Sequence, residues 1–360
     1  MPQAYICLSQ RTIGRRTGLM RQVTLGKTGL TVSALGFGGI PIQRLTDEQA
    51  VAVVRAALDL GVTFIDTATG YSDSQAKIGK ALDGYARDRI VIASKSGDAT
   101  KAGILRDIER GLEAMQTDYI DLYQLHGVST IGKWEQCRAT GGALEGLLEA
   151  RERGMIRHIG FSSHSLDTAL TLIEEPVFET VQFPFNLVTR EPAERLIPRC
   201  RELNLGFIVM KPLCGGQYHD ADLAFRFLNG FPDIVPIPGI ERREEIEQIA
   251  ALVESGETLH GEHRRRAEEI AESLGKRFCR RCGYCEPCPE GVPIQQCMIF
   301  DSFVARFPPG KLAAGPAKRV AEDAPKCIEC GVCESKCPYE LPIMQSVKEA
   351  LAKAQSIVGK

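Results

Sequence analysis

The 360-residue chain lacks any run of eighteen apolar residues, which excludes a transmembrane helix, and it lacks the concentrated basic stripe that nucleic-acid binding would require. Its formal charge is only −2. Arg11, Arg15 and Arg16 give the start a basic tone, but the apolar segment of a secretion signal, twin-arginine type included, does not follow them. Also missing is the GxGxxG phosphate turn of a doubly wound dinucleotide sheet: after the first barrel-type strand, Gly36-Phe37-Gly38-Gly39 runs into Ile40-Pro41. These absences leave the expectation of a protein of a reducing cytoplasm, with no membrane and no nucleic-acid partner. Residues 1–19 are expected to be a disordered extension, with Met20 a natural start.

With 44% hydrophobic residues, a chain of this length can bury one large core and leave room for a small second domain. A hairpin signal at Gly26-Lys27-Thr28-Gly29 opens the folded part. Eight strand candidates follow, at residues 32–38, 63–67, 90–95, 120–126, 156–162, 180–186, 206–211 and 234–238. Between them lie amphipathic helical stretches such as 47–60 and 105–115. Strand and helix alternating eight times over about 240 residues is the pattern of an α/β (β/α)8 TIM barrel. It is assigned to residues 20–275, and a small α-helical domain to residues 276–360. In such barrels the chemistry sits at the C-terminal strand ends.

Cysteine, by contrast, is abundant. Eight of the thirteen cysteines form two runs, Cys279-x2-Cys282-x2-Cys285-x2-Cys288-Pro289 and Cys327-x2-Cys330-x2-Cys333-x3-Cys337-Pro338. Three thiolates spaced by two residues can wrap one iron–sulfur cube, and the fourth, directed by the following proline, can reach the cube held by the other run. The eight cysteines therefore offer ligands for two [4Fe-4S] clusters. The first run departs from the bacterial spacing in having two residues, not three, before Cys288. Zinc is the competing reading, but structural zinc sites usually combine two separated CxxC knuckles and need no cysteine-proline pairs.

Four polar residues stand at or just past strand ends: Asp66, Tyr71, Lys95 and His126. A tyrosine with a reference pKa of ~10 is a poor acid at neutral pH, and a neighbouring ammonium held by a carboxylate favours its phenolate and eases proton donation. Tyr71 is then the general acid toward a carbonyl oxygen, with His126 sharing a hydrogen bond there. Singly, each of the four has a structural explanation as a cap, an interface filler, a solvated cation or a satisfied histidine; together they point to a site.

Ordered motifs from Met20 to Ser255 resemble the aldo/keto reductase family. They are Phe64-Ile-Asp-Thr-Ala with Gly70-Tyr71, Ala93-Ser-Lys95, Thr117-Asp-Tyr-Ile-Asp-Leu-Tyr-Gln-Leu-His126, Ile159-Gly-Phe-Ser-Ser163, Val181-Gln-Phe-Pro-Phe-Asn186 and Met210-Lys-Pro-Leu. The resemblance implies that Asp66, Tyr71, Lys95 and His126 form a catalytic tetrad. It implies that Ser162, Ser163 and Gln182 hold a nicotinamide carboxamide, and that Lys211, Pro212, Leu213, Gly215 and Gly216 approach the pyrophosphate of NADP(H) or NAD(H). Gly239, Arg242 and Arg243 fall on the stretch implied for the adenosine end. The departures are Ser163 where the family often has asparagine, and Glu245 then Gln248-Ile249 where NADPH-preferring members commonly carry an arginine ahead of Glu-Asn. The tail is similar to the ferredoxin-like extension of a subset of these reductases, with helices expected at residues 294–304, 316–324 and 341–354. Cys214 and Cys297 are the two further cysteines placed near a site.

Nicotinamide moves a hydride, a two-electron unit, whereas each cluster moves one electron. Three functions follow as expectations. The first is a nicotinamide-dependent reductase of a small carbonyl substrate, whose iron–sulfur domain stabilises it or links it to a ferredoxin or other electron carrier. In the second, a flavin at the barrel mouth splits electron pairs. The third is a nicotinamide-binding redox sensor without useful turnover. Where the cysteine domain docks bears on the choice.

Overall fold

In the computed structural model, residues 20–359 are described; the expected extension over residues 1–19 lies outside them. A short antiparallel hairpin, β1 (Gln22–Thr24) and β2 (Thr31–Ser33), precedes eight parallel strands. These are β3 (Gly36–Gly38), β4 (Phe64–Asp66), β5 (Val91–Ser96), β6 (Ile120–Leu125), β7 (Ile156–Ser162), β8 (Thr180–Pro184), β9 (Gly206–Met210) and β10 (Ile234–Pro236). Each strand pairs with its neighbours in chain order. The ring closes where Gly38 bridges to Gly239 and donates its N–H to Pro238 O at 2.8 Å. A Cβ on Gly38 would lie 2.7 Å from Ile237 O, so the seam tolerates only glycine there. Near-continuous apolar strands buried on both faces are what a parallel sheet inside a ring of helices demands.

Local signals set the helix starts. Thr46 caps Asp47–Asp59 in a capping box with Gln49, and Thr100 caps Lys101–Met115. The hairpin sits at the N-terminal end of the barrel, where Gly26 bridges to Leu205 just ahead of β9.

Two expected elements divide. The segment 32–38 splits into β2 and β3 because Ser33 spends its polar groups elsewhere: its N–H donates to Thr63 Oγ1 at 2.8 Å and its hydroxyl to Leu35 O at 2.6 Å. The chain turns there from hairpin into barrel. The expected helix over 294–304 breaks at Ile299 into Ile294–Met298 and Phe300–Arg306. Pro316 does not open a helix but lies inside a π-turn, Ala313–Ala317, whose wider hydrogen-bond ring accommodates its missing N–H.

The barrel core continues through helix Gly261–Gly275, whose Ala267 is fully buried, and ends at Phe278, immediately before the first cysteine run. A second, smaller core gathers Val292, Ile294, Phe300, Leu312, Val320, Leu341 and Val347, with helix Ile343–Val358 along it. Six of the run cysteines pack against the edge of this core. Four hydrogen bonds join it to barrel segments that follow strand C-termini. Arg44 donates to Ala305 O, Lys311 to the Ser72 hydroxyl, Tyr284 to Asp167, and Arg280 Nη2 to Val188 O at 3.0 Å. The helical domain therefore covers the barrel mouth. Among the described residues, no helix is long and apolar enough to cross a membrane.

Candidate active site

Asp66 ends β4, and Lys95 lies near the end of the adjacent β5, so parallel register puts them side by side at the mouth. Lys95 Nζ donates to both Asp66 carboxylate oxygens, at 2.9 and 2.7 Å, and to Thr67 O at 2.7 Å. Both side chains are almost wholly buried. Burial pushes the Asp66 carboxyl above its usual range, with Lys95 opposing. Burial works against the Lys95 charge too, but Asp66 and then Tyr71 outweigh it and hold the ammonium above its ordinary value.

Tyr71 sits in the loop after β4, anchored by its N–H to Ala68 O at 3.0 Å and its carbonyl to Ser74 N at 2.9 Å. Lys95 Nζ hydrogen-bonds its side chain and lies 4.9 Å from its ring centroid. His126 follows β6 and meets the Tyr71 ring edge-on at 5.9 Å between centroids. Burial, helped by the charges of Lys95 and Arg281, pushes the His126 imidazole down to about 3. It is neutral at physiological pH and can donate one N–H to an oxygen. All four expected catalytic residues thus lie at one mouth: an anchored ammonium, a phenol beside it and a neutral imidazole across from it.

The expected dinucleotide residues ring the same opening. Ser162, Ser163 and Gln182 are buried at the ends of β7 and β8, where Ser162 Oγ accepts from Gly127 N at 2.9 Å and Gln182 Oε1 from Gln124 Nε2 at 3.0 Å. After β9 the loop Lys211-Pro212-Leu213-Cys214-Gly215-Gly216 takes φ of +57° at Lys211, +49° at Cys214, +68° at Gly215 and +88° at Gly216. Left-handed residues of this kind turn successive N–H groups toward one side, the geometry of an anion nest. A Cβ on Gly216 would meet nothing within 4 Å, so the loop opens onto free space there. This set fits a dinucleotide. Gly239 lies at the seam beside Pro41, and Arg242 and Arg243 are exposed at the start of helix Arg243–Ser255, where they pair with Glu245 and Glu247.

The cysteines divide into two sets across the runs. Cys279, Cys282, Cys285 and Cys337 line one pocket, with Arg280 and Arg281; Cys288, Cys327, Cys330 and Cys333 line a second, which Cys285 also borders. Each set draws three thiols from one run and the fourth from the other. All twelve described cysteines are free thiols. Two sets of four thiols lining two pockets are the kind of donor that an iron–sulfur group takes. Cys214 is buried in the loop after β9, and Cys297 in the second core.

Residues 34–225 match the Aldo/keto reductase family model. The chain belongs to the aldo/keto reductase family. Residues 278–342 match the 4Fe-4S dicluster domain. The aldo-keto reductase YhdN of Bacillus subtilis (strain 168) is 32% identical over 215 residues, covering 55% of this chain and 63% of that protein. Probable aldo-keto reductase 1 of Glycine max is 33% identical over 217 residues, covering 55% and 61%. The chain thus spans a little under two thirds of the length of these curated relatives. Among solved structures, an aldo-keto reductase from Klebsiella pneumoniae in complex with NADPH matches with a TM-score of 0.59 and 27% identity, over 71% of this chain and 96% of that one. The holo form of aldo-keto reductase AKR11C1 from Bacillus halodurans matches in fold, with a TM-score of 0.61 at 24% identity, over 70% and 96%.

Three residues at the mouth of this aldo/keto reductase barrel escaped the sequence reading. Gln124, fully buried in β6, bonds Gln182 and faces Asp66; its place two residues before His126, on the same strand face, was the available signal. His164 follows Ser163 and meets Lys211 Nζ at 2.7 Å through its Nε2. Burial, then Lys211 and Arg281, hold it well below the ordinary histidine value. Arg281, between Cys279 and Cys282, had no local signal beyond its charge.

Proposed function

We propose that the protein is a nicotinamide-dependent carbonyl reductase, with Tyr71 as general acid and a helical domain that carries two [4Fe-4S] clusters over the site. The observation that carries this reading is the Asp66–Lys95–Tyr71 chain of contacts at the barrel mouth, with neutral His126 opposite. A bound reduced nicotinamide, NADPH or NADH, supplies a hydride to a carbonyl carbon. Ser162, Ser163 and Gln182 orient its carboxamide end, and the Lys211–Gly216 loop holds the phosphates. As charge gathers on the carbonyl oxygen, Tyr71 delivers its proton, and the Lys95 ammonium stabilises the phenolate left behind. His126 donates a hydrogen bond to the same oxygen. Asp66 keeps Lys95 charged and in place. Each cluster, when bound, supplies one electron at a time.

A second reading, an enzyme linked to a ferredoxin or other electron carrier, draws on the position of the mouth-facing cysteine set: Arg281 lines that pocket and its charge reaches Tyr71. It requires a mediator between one-electron and hydride chemistry, such as a flavin.

Tyr71→Phe tests the first reading. Removing a positioned general acid lowers kcat by roughly 10²–10⁴-fold while leaving dinucleotide binding and iron content as they are. Unchanged turnover with aldehydes and ketones contradicts it.

A further inference from the structure

Parallel register carries one layer of side chains across four strands near the barrel mouth. Lys95 of β5 is the Cα partner of Gln124 of β6, Gln124 of Gly160 in β7, and Gly160 of Thr180 in β8. In-register neighbours point to the same face of a sheet, so these four positions share the face from which Lys95 reaches Asp66. Gln182, two residues beyond Thr180, shares it too.

Gly160 leaves a gap in this layer. A Cβ there would lie 2.2 Å from Thr180 Oγ1 and 3.3 Å from Gln124 Cγ. Because no side chain fills that space, Gln124 on β6 reaches past β7 and donates from Nε2 to Gln182 Oε1 on β8 at 3.0 Å. Its amide also lies against the Asp66 carboxylate. The glutamine therefore stands between the carboxylate that holds Lys95 and the amide assigned above to the nicotinamide.

Packing does not account for an amide at this place. Gln124 is fully buried, and its Oε1 has no hydrogen-bond partner among the described residues. An unpaired buried acceptor is a net cost that a methionine of similar length would not carry. What the amide adds is the bond to Gln182.

We propose that Gln124 is a positioning residue that ties the nicotinamide-holding Gln182 to the Asp66–Lys95 pair through the gap at Gly160. The proposal rests on the reductase reading and deepens it. With its Oε1 engaged by Gln124, the Gln182 amide is fixed in rotation, and the nicotinamide carboxamide meets one orientation of it. Asp66 and Lys95 in turn set the place of Tyr71. Hydride donor and proton donor are then held by one connected set of side chains, in place of two separate walls of the barrel. Gln124 acts only through Gln182 and Asp66.

The test uses the full, cluster-loaded protein under anaerobic conditions. Calorimetric binding is measured with NADP+ and NAD+, and the cycle is run on whichever wild type binds more tightly. Gln124→Met and Gln182→Met each raise that Kd by roughly 3–10-fold, the weight of one neutral hydrogen bond, and the double variant is no weaker than the weaker single one. The unfolding midpoint of Gln124→Met stays near wild type, because one orphaned oxygen is exchanged for another. Gln124→Asn keeps an amide but is one methylene too short to span the gap; it weakens binding equally and carries the test if the methionine variant does not fold. Thr180→Val, which removes an unpartnered hydroxyl from the same layer, leaves Kd within about twofold of wild type. At saturating dinucleotide, with 4-nitrobenzaldehyde as the carbonyl probe, Gln124→Met lowers kcat roughly 3–10-fold and raises the isotope effect from C4-deuterated dinucleotide. Independent losses that multiply in the double variant overturn the proposal, as does a Kd raised equally by Thr180→Val. Lowered stability with unchanged Kd also overturns it, by making Gln124 a structural residue, and unchanged kcat at saturation reduces it to a binding contact. A wild type that turns over no carbonyl defeats the reductase reading alone, since the binding cycle still decides the link between Gln124 and Gln182.

Discussion

In the barrel the ionisable groups of the site are paired by the protein itself, Asp66 with Lys95 and Lys211 with His164, before any ligand arrives. In the helical domain eight cysteines face two pockets as free thiols, at the edge of a much smaller core. The barrel is preorganised by its own hydrogen bonds, whereas a domain of this size with so small a core depends on staples, and metal clusters are one form of staple. Damage to the barrel site should therefore strike chemistry while the clusters survive, and damage to the cysteines should strike the helical fold while the barrel still binds its dinucleotide.

The largest expected effect comes from Lys95→Met. It strands the Asp66 carboxylate in a buried site, which destabilises the barrel by about 3–5 kcal/mol and removes the ammonium that Tyr71 needs. Denaturant unfolding, turnover and an iron assay read the outcome: stability and activity fall, and iron stays. Loss of iron on this substitution would mean that the two regions are not separable.

The cysteine sets offer the next break. Cys337→Ser should remove the cluster beside the barrel mouth and Cys288→Ser the outer one, each leaving about half the iron, because each set takes one ligand from the other run. Either loss should loosen the helical domain, as would chelation of the iron, with NADPH binding retained. The two clusters are also expected to differ in exposure, since Cys330 and Ile328 of the outer set face solvent. The cluster that responds first to an external electron carrier should be the one lost in Cys288→Ser.

A smaller effect sharpens the description of the mouth. The His126 value drops from the ordinary 6.5 to about 3 on folding, so between those limits the unfolded chain binds more protons than the native one. Stability from this group is complete above about 6.5 and is lost as pH falls toward 3. Urea unfolding at pH 7 and pH 5 should show a decline that His126→Gln lessens, and kcat/KM should show no ionisation of His126 near 6.5.

Much of the barrel was legible in the sequence because its signals are local. Asp66, Lys95 and His126 each close an apolar run, and in a parallel barrel that position places them at the mouth. The grouping of one cysteine from each run with three of the other has its sequence counterpart in the cysteine-proline pairs. What could not be read depended on partners distant in sequence. The break after Ser33 needs Thr63 beside it. Docking of the helical domain needs Arg44, Ser72, Asp167 and Val188 to form one rim, and they share no sequence pattern.

The central claim, that the barrel passes hydride directly from nicotinamide to a carbonyl carbon beneath the cluster domain, is tested most directly by isotope transfer. The cluster-loaded protein is supplied with NADPH, or NADH, deuterated stereospecifically at nicotinamide C4, and the alcohol product is examined for the label. Direct transfer predicts that essentially all the deuterium from one face appears on the carbinol carbon. Protium from solvent at that carbon would contradict it and show that the electrons travel through the clusters or another mediator.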